Sequence, residues 1–329
     1  MLAKRLLITG GTGFFGKAIL RHFLAEHFLS GRLPYNYNEV IAVSRNPSRF
    51  QQEYPTLSNA PWLKLERGDV TDTVSMGHLV HLGNIHSVLH AATDSVSKAD
   101  VDHGELAHQI VSGTHNVLKL AASLDAKKFL FTSSGAVYGQ QPTYLKQMPE
   151  NYVGTIDQMC DANSYALGKK LAEHLCKLHQ KQIGMSITIA RCFAFVGQDL
   201  PKNAHFAIGN FIRDALEKER ITILGDGRSV RSYMDQRDLS KWLFSILNFG
   251  RPGQAYNVGS DKPVTIFELA TLIRDTLAPD KEIVIKNTLN SVAPRSVYVP
   301  SVEKAVSELG LQVSVKLAEA ISNTAAAYK

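Results

Sequence analysis

Two side chains able to exchange a proton or carry a charge lie four residues apart in the segment Ser164–Lys169. The surrounding stretch Asn163–Lys181 has helical spacing, so Tyr165 and Lys169 would project from the same face of a helix. A free phenol has a pKa of about 10 and is a poor acid or base at neutral pH, but a neighbouring ammonium group lowers that pKa. The spacing predicts a tyrosine that exchanges a proton in a reaction. Taken alone, it is more often an ordinary surface pair.

Hydroxyl side chains end a short apolar run upstream of that tyrosine. The segment Phe131–Gly139 carries Thr132, Ser133 and Ser134 in succession. In a doubly wound fold the chemistry lies at the carboxyl edge of the parallel strands, where such hydroxyl groups would emerge. This hydroxyl run is therefore a second candidate part of the same site.

A glycine-rich segment, Thr9–Gly16, follows the first apolar run and opens the first helical stretch. Glycines at this spacing let the backbone turn tightly and approach a pyrophosphate, while the helix N-terminus supplies N–H donors. The segment predicts a dinucleotide site, and an oxidised nicotinamide there would further stabilise a phenolate. One phenylalanine of the segment is expected to pack the first helix on the sheet. The loop residues assigned to the cofactor are Gly10, Thr12, Gly13, Phe14, Phe15 and Gly16.

The end of the second predicted strand bears on the choice of cofactor. A carboxylate at that place would hold an NAD ribose hydroxyl, but this chain has Ser44, followed by Arg45 and Arg49. A guanidinium can bind a ribose 2′-phosphate, which a carboxylate would repel. The pattern favours NADP(H). The alternative is that both arginines are solvated loop charges.

The segment Gly68–Asp72 follows the third predicted strand. Asp69 and Val70 could cap the adenine there. The segment could equally be a turn with a helix N-cap.

The elements needed to position these groups alternate in type through the first half of the chain. Short apolar runs alternating with helical stretches predict an α/β fold, a Rossmann-type doubly wound parallel sheet. After about Cys192 the pattern becomes irregular and predicts a smaller α+β domain. We expect a dinucleotide-binding domain at 1–191, which also receives the segment 234–260, and a substrate domain at 192–329. The runs read as strands are Arg5–Thr9, Glu39–Ser44, Leu63–Arg67, Ser87–His90, Lys128–Thr132 and Ser186–Arg191.

Composition narrows the class of protein. The 329 residues are 44% hydrophobic and 20% charged, and the 36 Lys and Arg exceed the 30 Asp and Glu by six. The apolar stretch at the N-terminus ends at Gly10, too soon for a signal peptide, and no run approaches the roughly 18 residues of a membrane helix. Three cysteines are too few for a disulfide framework, and no metal-binding spacing of His or Cys occurs. We expect a cytoplasmic protein that binds neither metal, membrane nor nucleic acid.

Together these motifs resemble the extended short-chain dehydrogenase/reductases of the nucleotide-sugar epimerase/dehydratase family, from Leu6 to about Val299. The resemblance implies a catalytic triad in which Tyr165 exchanges the hydroxyl proton, Ser134 hydrogen-bonds the reacting oxygen and Lys169 holds the nicotinamide ribose. It also implies a nucleotide-sugar substrate and a homodimer formed through the stretches at 100–124 and 163–181. Further residues that it assigns to the cofactor are Ala91, Ala92, Thr132 and Phe193.

The chain departs from the family where dehydratases carry Thr-Asp-Glu and decarboxylases keep a Glu. It has Ser134, Gly135 and Ala136 instead, so neither dehydration nor decarboxylation is expected. The resemblance also implies that Arg231 clamps the nucleotide diphosphate, which would account for the basic balance. Asp238 is expected to cap the helix that follows it. The substrate-side assignments are Thr93, Ser134, Gly135, Asn210, Arg231 and Arg295.

Three functions remain open from the sequence. The leading hypothesis is an NADPH-dependent reductase of a nucleotide-linked 4-keto-6-deoxysugar, with Tyr165 as proton donor. The second is a 4-epimerase that retains NAD(H). The third is a noncatalytic nucleotide-binding protein of the same fold, against which the intact set of Ser134, Tyr165 and Lys169 counts.

Overall fold

The computed structural model describes residues 4–93, 102–201, 206–287 and 295–328. Strands and helices alternate in the first part of the chain, as the apolar runs predict. The strands there are β1 (Arg5–Thr9), β2 (Glu39–Ser44), β3 (Leu63–Arg67), β4 (Ser87–His90), β5 (Lys128–Ser134) and β6 (Ser186–Cys192). The helices are α1 (Phe14–Ser30), α2 (Pro47–Glu53), α3 (Pro55–Ser58), α4 (Thr73–His78), α5 (His103–Ser123) and α6 (Ser164–Ile183).

Shorter strands characterise the remainder of the chain. They are β7 (Phe195–Val196), β8 (Arg220–Ile223), β9 (Val230–Arg231), β10 (Met234–Asp235), β11 (Ala255–Val258), β12 (Val264–Thr265), β13 (Glu282–Ile285) and β14 (Val297–Tyr298). The helices are α7 (Ala207–Glu217), α8 (Gln236–Phe249), α9 (Ile266–Leu277), α10 (Glu303–Leu309) and α11 (Leu317–Tyr328).

A seven-stranded parallel sheet forms the centre of the molecule, in the order β11-β6-β5-β4-β1-β2-β3. The predicted doubly wound fold is confirmed. From β1 the chain proceeds outward through β2 and β3, then returns to place β4 on the other side of β1. This reversal opens a crevice at the carboxyl ends of β1 and β4, where such folds bind ligands.

Both faces of the sheet are covered, which explains why its strands are continuously apolar. Leu6 and Ile8 of β1 lie in one core cluster, while Leu7 lies in another on the opposite face. In the first cluster the rings of Phe23 on α1 and Phe244 on α8 are 4.7 Å apart. The second cluster is formed with α5 and α6. Each fully buried side chain of this size contributes about 1.5–3 kcal/mol relative to exposure.

The later part of the chain returns to the central sheet before it ends. Helix α8 packs against α1, and β11 pairs in parallel with β6. A separate core cluster lies among α7, α9, α11 and the strands β8 and β13. The division at residues 191 and 192 stays a prediction.

Two helix starts differ from the sequence expectation. Helix α8 begins at Gln236 because the Asp235 carboxylate caps it, accepting from the Arg237 backbone N–H at 2.8 Å. Asp238 was expected to be that cap, which is wrong, since its carboxylate accepts from the backbone N–H groups of Ser314 and Val315. Helix α5 begins at His103, and the expected start at residue 100 lies outside the described residues. In the described ranges, no helix combines the length and the apolar character needed to cross a lipid bilayer.

Candidate functional site

A cavity of about 430 Å³ opens at the reversal point between β1 and β4. Most of the residues assigned to the cofactor from the sequence line it. The residues that sequence reasoning missed include Lys17, which follows the glycine segment directly, and Gln109 on α5. The predicted residues on its wall are Gly10, Thr12, Gly13, Ser44, Arg45, Arg49, Asp69, Val70, Ala91, Ala92 and Thr93.

The glycine segment forms a tight turn that other residues could not make. Gly10 has φ +72°, and a Cβ added there would lie 2.6 Å from the Ala91 carbonyl oxygen. A Cβ added at Gly16 would lie 2.2 Å from the Gly11 oxygen. Gly13, the N-cap of α1, offers no side-chain acceptor to the first N–H groups of the helix. Those donors suit a phosphate group, so this end of the cavity fits the pyrophosphate of a dinucleotide.

The two phenylalanines of the segment are partly buried and pack against the core clusters. Phe15 packs edge-on against Phe195, with ring centroids 5.4 Å apart, and Phe14 lies 5.8 Å from Phe15. Neither lines the cavity. The packing role expected for one of them is filled by both.

The end of β2 carries hydroxyl and guanidinium groups. The Ser44 and Thr12 hydroxyl oxygens are 2.8 Å apart, and Arg45 is exposed at the cavity wall. The Arg49 Nε donates to the Glu53 carboxylate at 2.7 Å, in an i,i+4 pair whose arginine is 71% exposed. To bind a phosphate, Arg49 would have to give up its exposed ion pair with Glu53. Arg45 precedes α2 and is not part of that ion pair.

The segment after β3 is a turn that also borders the cavity. The Asp69 carboxylate accepts from the backbone N–H of Thr71 at 2.9 Å and from its hydroxyl at 2.8 Å. Asp72 caps α4 through the Val74 N–H. The carbonyl of Val70 accepts from Asn116 at 2.9 Å. The turn and this part of the cavity wall thus share residues. A turn with a helix N-cap and a wall for the adenine are therefore compatible interpretations of this segment.

Next to the cavity, helix α6 and the end of β5 bring the predicted triad together. The Tyr165 phenol lies close enough to the Ser134 hydroxyl for that side chain to lower its pKa. The buried Lys169 ammonium donates to the Thr132 carbonyl at 2.8 Å and to the Thr93 hydroxyl at 2.9 Å. It lies 5.8 Å from the centre of the Tyr165 ring. Since Thr93 lines the cavity, its hydrogen bond to Lys169 connects this cluster directly to the cavity wall.

Burial governs the titration of this cluster. It raises the pKa of Tyr165 to about 12, against the hydrogen bond from Ser134, and lowers the pKa of Lys169 to about 8. The expectation that the lysine lowers the phenol pKa does not hold for the protein alone. The reason is that desolvation dominates and the ammonium is directed at Thr132 and Thr93 instead. The protein by itself therefore holds a protonated phenol at neutral pH.

Two aromatic rings lie beside Gly135, one of the positions at which the family resemblance implies a carboxyl group in dehydratases. A Cβ added at Gly135 would lie 2.7 Å from the Phe193 ring and 2.7 Å from the Tyr298 hydroxyl. The two rings are 4.6 Å apart. The Tyr298 hydroxyl donates to the Cys192 carbonyl at 3.5 Å and lies close to Ser134, and burial raises the pKa of its phenol. Sequence reasoning missed Tyr298, whose one local signal is its place three residues after Arg295.

The substrate-side assignments lie in more than one place. Arg231 donates to the Val230 carbonyl at 2.8 Å and to the Ser296 hydroxyl at 3.2 Å, and its guanidinium is 6.0 Å from the Tyr298 ring. The exposed Arg295 donates to the Arg228 carbonyl at 2.9 Å. Asn210 lines a different cavity, of about 390 Å³, beside α7. Of these three residues, Arg231 is the one that the described contacts place beside the ring of Tyr298.

Comparisons with known proteins agree with this geometry. The sequence model of a family described as the NAD dependent epimerase/dehydratase family matches residues 6–259. UDP-glucuronic acid decarboxylase 6 of Arabidopsis thaliana is 28% identical over 320 residues, covering 96% of this chain and 86% of that protein. UDP-glucose 4-epimerase of Thermotoga maritima, solved with UDP-glucose, has a TM-score of 0.81 at 22% identity, covering 98% of both chains. RMD of Pseudomonas aeruginosa, solved with NADPH, has a TM-score of 0.78 at 23% identity, covering 99% of both.

Proposed function

We propose that this chain, which belongs to the NAD dependent epimerase/dehydratase family, is an NADPH-dependent reductase. Its proposed substrate is a nucleotide-linked 4-keto sugar, with 6-deoxysugars as the substrate class. The observation that carries the proposal is the wall at Gly135. Phe193 and Tyr298 fill the space beside this residue, and Ala136 follows it. Neither position 135 nor position 136 offers a titratable group. The site therefore has the hydroxyl groups needed to reduce a ketone and lacks, at these two positions, the carboxyl groups that would expel water.

The similarity to decarboxylases at 28% identity has to be weighed against this wall. Loss of water or carbon dioxide after oxidation of the sugar needs groups that move protons beside the reacting carbons. The hydroxyl groups beside this wall have high pKa values, since burial raises the pKa of Tyr165 to about 12 and also raises that of Tyr298. Protonated phenols suit the delivery of a proton to a developing alkoxide.

The residues divide the work of the reduction as follows. Tyr165 would give its proton to the C4 oxygen, and the Ser134 hydroxyl would donate a hydrogen bond to the same oxygen. Lys169 would keep its ammonium beside the phenol and hold the ribose of the nicotinamide. NADPH, when bound, supplies the hydride. One ketone, one hydride and one proton give the secondary alcohol.

The cofactor preference rests on the end of β2. Ser44 replaces the carboxylate that would bind an NAD ribose, and Arg45 stands at the wall of the same cavity. Lys17 borders the cavity as well, with its ammonium 2.9 Å from the Tyr54 hydroxyl. The positive charges on this wall favour a cofactor with an additional phosphate.

A second candidate is an NAD-dependent nucleotide-sugar 4-epimerase. The pairing of Arg49 with Glu53 favours it, because it places a carboxylate on the cavity wall and occupies one of the two arginines. An epimerase would keep its cofactor and return the hydride to the other face of the sugar. It would consume no reductant.

The proposed assembly is a homodimer formed through α5 and α6. Its support is the exposure of Leu171 and Leu178, which are 49% and 40% exposed and lie two turns apart on α6. Replacing Leu178 with Glu should convert dimer to monomer in light scattering after gel filtration. A wild-type monomer at assay concentration would contradict the proposal.

The decisive experiment supplies purified protein with two substrates. With a nucleotide-linked 4-keto-6-deoxyglucose, NADPH absorbance should fall as the alcohol forms. With the unmodified nucleotide-linked glucose or glucuronate, no 4-keto product and no carbon dioxide should appear. Interconversion of two nucleotide sugars without net use of NADPH would establish the epimerase instead.

A further inference from the structure

Helix α6 and the end of β5 are matched residue by residue. Three side chains spaced four apart on one face of the helix contact three consecutive residues of the strand. The pairs are Tyr165 with Ser134, Lys169 with Thr132, and Glu173 with Ser133. The first two pairs belong to the site already described, and the third does not.

Glu173 is buried and fully hydrogen-bonded. The Ser133 hydroxyl donates to its Oε1 at 2.6 Å. Arg191 on β6 donates from Nε to Oε1 at 3.0 Å and from Nη2 to Oε2 at 2.7 Å. Such charge-assisted and bidentate bonds are the strong ones and they fix geometry. Glu173 therefore holds α6, β5 and β6 in one arrangement.

The network continues away from the catalytic groups. Arg191 donates from Nη1 to the Tyr138 hydroxyl at 2.9 Å, and that hydroxyl donates to Asn257 on β11 at 2.8 Å. The Asn257 amide in turn donates to the carbonyl groups of Met148 and Ser301 at 2.8 and 3.0 Å. The chain around Tyr298 is thus connected to the strand that carries Ser134.

We propose that Glu173 is a positioning residue for the reaction. By binding Ser133 on one side and Arg191 on the other, it fixes the end of β5 so that the neighbouring Ser134 hydroxyl stays in register with Tyr165. The inference rests on the proposed function for its substrate. Small displacements of reacting groups cost large factors in rate, so a loss of this contact should lower turnover.

The cleanest test removes the smallest part of the contact. Ser133→Ala deletes one hydroxyl and leaves the ion pair of Glu173 with Arg191 intact. We expect kcat to fall about tenfold, the effect of one strong hydrogen bond on the transition state, with KM and the dissociation constant for NADPH unchanged. Ser133→Thr, which keeps a hydroxyl, should recover most of the loss.

A matched control exists at the opposite end of the sheet. Ser87 at the start of β4 is also buried, and its hydroxyl accepts from Tyr37 at 2.8 Å. Ser87→Ala should lower the free energy of unfolding by a similar amount and leave kcat unchanged. Equal losses of kcat in Ser87→Ala and Ser133→Ala would reduce Glu173 to a structural role and overturn the inference.

A pH profile supplies a second, independent variant. Lys169 faces Glu173 and Cys176 on its own helix, Cys192 on β6, Tyr165, and the buried His90 on β4. Glu173→Gln removes the negative charge, so the pKa of Lys169 should fall. The alkaline limb of the pH–activity profile should then move to lower pH. Ser133→Ala keeps the charge and should leave that limb in place. An unshifted limb in a folded Glu173→Gln enzyme would count against the proposal.

Hydrogen exchange separates this inference from the proposed function. If the wild-type protein does not reduce the 4-keto sugar, the function is contradicted, and exchange at the backbone amides of 132–136 then decides the positioning role. Ser133→Ala should speed exchange there, and Ser87→Ala should not. Unchanged exchange at 132–136 in Ser133→Ala would overturn the inference whatever the substrate.

Discussion

The ammonium of Lys169 donates to the hydroxyl of Thr93 at 2.9 Å, so a side chain of the proposed catalytic triad and the wall of the proposed cofactor cavity are in direct contact. Thr93 follows β4 and Lys169 lies on α6, two elements that are far apart in sequence. Under the proposed function, we expect binding in the cavity and proton transfer at the phenol to be coupled through this hydrogen bond. Changes at either residue should affect both.

The cofactor preference should depend on Arg45. We expect NADPH to bind at least about tenfold more tightly than NADH, a gap of about 1.4 kcal/mol that one charged contact can supply. Arg45→Ala should remove most of the gap, and Arg49→Ala should remove less, because Arg49 is paired with Glu53. Fluorescence titration with both cofactors measures this. Equal dissociation constants in the unmodified protein would favour the epimerase.

The proton donor can be tested with little change in shape. Tyr165→Phe should lower turnover by about 10²–10⁴, the usual contribution of a positioned acid or base, and leave NADPH affinity nearly unchanged. Lys169→Ala should weaken both. Steady-state kinetics and cofactor titration distinguish the two variants. Near-normal turnover in Tyr165→Phe would mean that another group gives the proton.

The buried lysine should leave a signature in the pH dependence of stability. Its pKa falls from 10.5 in water to about 8 in the folded protein, chiefly through burial. The folded state therefore carries the cost of a buried charge below about pH 8, and that cost disappears as pH rises toward the unfolded value. Relative to Lys169→Met, the wild-type protein should gain on the order of 3 kcal/mol between those limits. Urea unfolding of both proteins across this range measures the difference, and parallel curves would contradict it.

The wall beside Gly135 predicts a steric effect. An added Cβ would lie 2.7 Å from the Phe193 ring and from the Tyr298 hydroxyl, so Gly135→Ala should cost about 1–3 kcal/mol of stability, as overpacking does. Combining it with Phe193→Leu should restore part of the loss. Thermal unfolding of the single and double variants tests the contact. A full, uncompensated loss in the double variant would place the strain elsewhere.

Local sequence signals were enough for the sheet and for the cavity wall. Arg5–Thr9 and Glu39–Ser44 are strands with the predicted bounds, because their apolar runs end in glycine or polar residues that stop a buried strand. The glycine segment likewise predicted a turn, and Gly10 occupies the left-handed conformation that requires glycine. The pairing of Arg49 with Glu53 was within reach of the same reasoning, since the two residues lie four apart on a helix.

Other features depend on contacts between distant segments. Tyr298 enters the site from a two-residue strand, β14, whose pairing with β9 no local pattern specifies. The direction of the Tyr165 pKa shift could not be read from its spacing to Lys169, because burial decides it and burial is a property of the folded chain. The prediction that Asp238 caps a helix was wrong for the same reason, since its hydrogen-bond partners lie at residues 314 and 315.

The return of α8 and β11 to the central sheet limits how this protein can be divided. A fragment ending at residue 191 would leave β6 as an exposed edge and remove the Phe244 side chain that contacts Phe23. Unpaired edges of this kind invite association between chains. We expect such a fragment to aggregate on expression, and the intact chain to unfold in one cooperative step. Exchange of the predicted substrate domain between relatives would need three junctions, one after residue 191 and one on each side of residues 236–258.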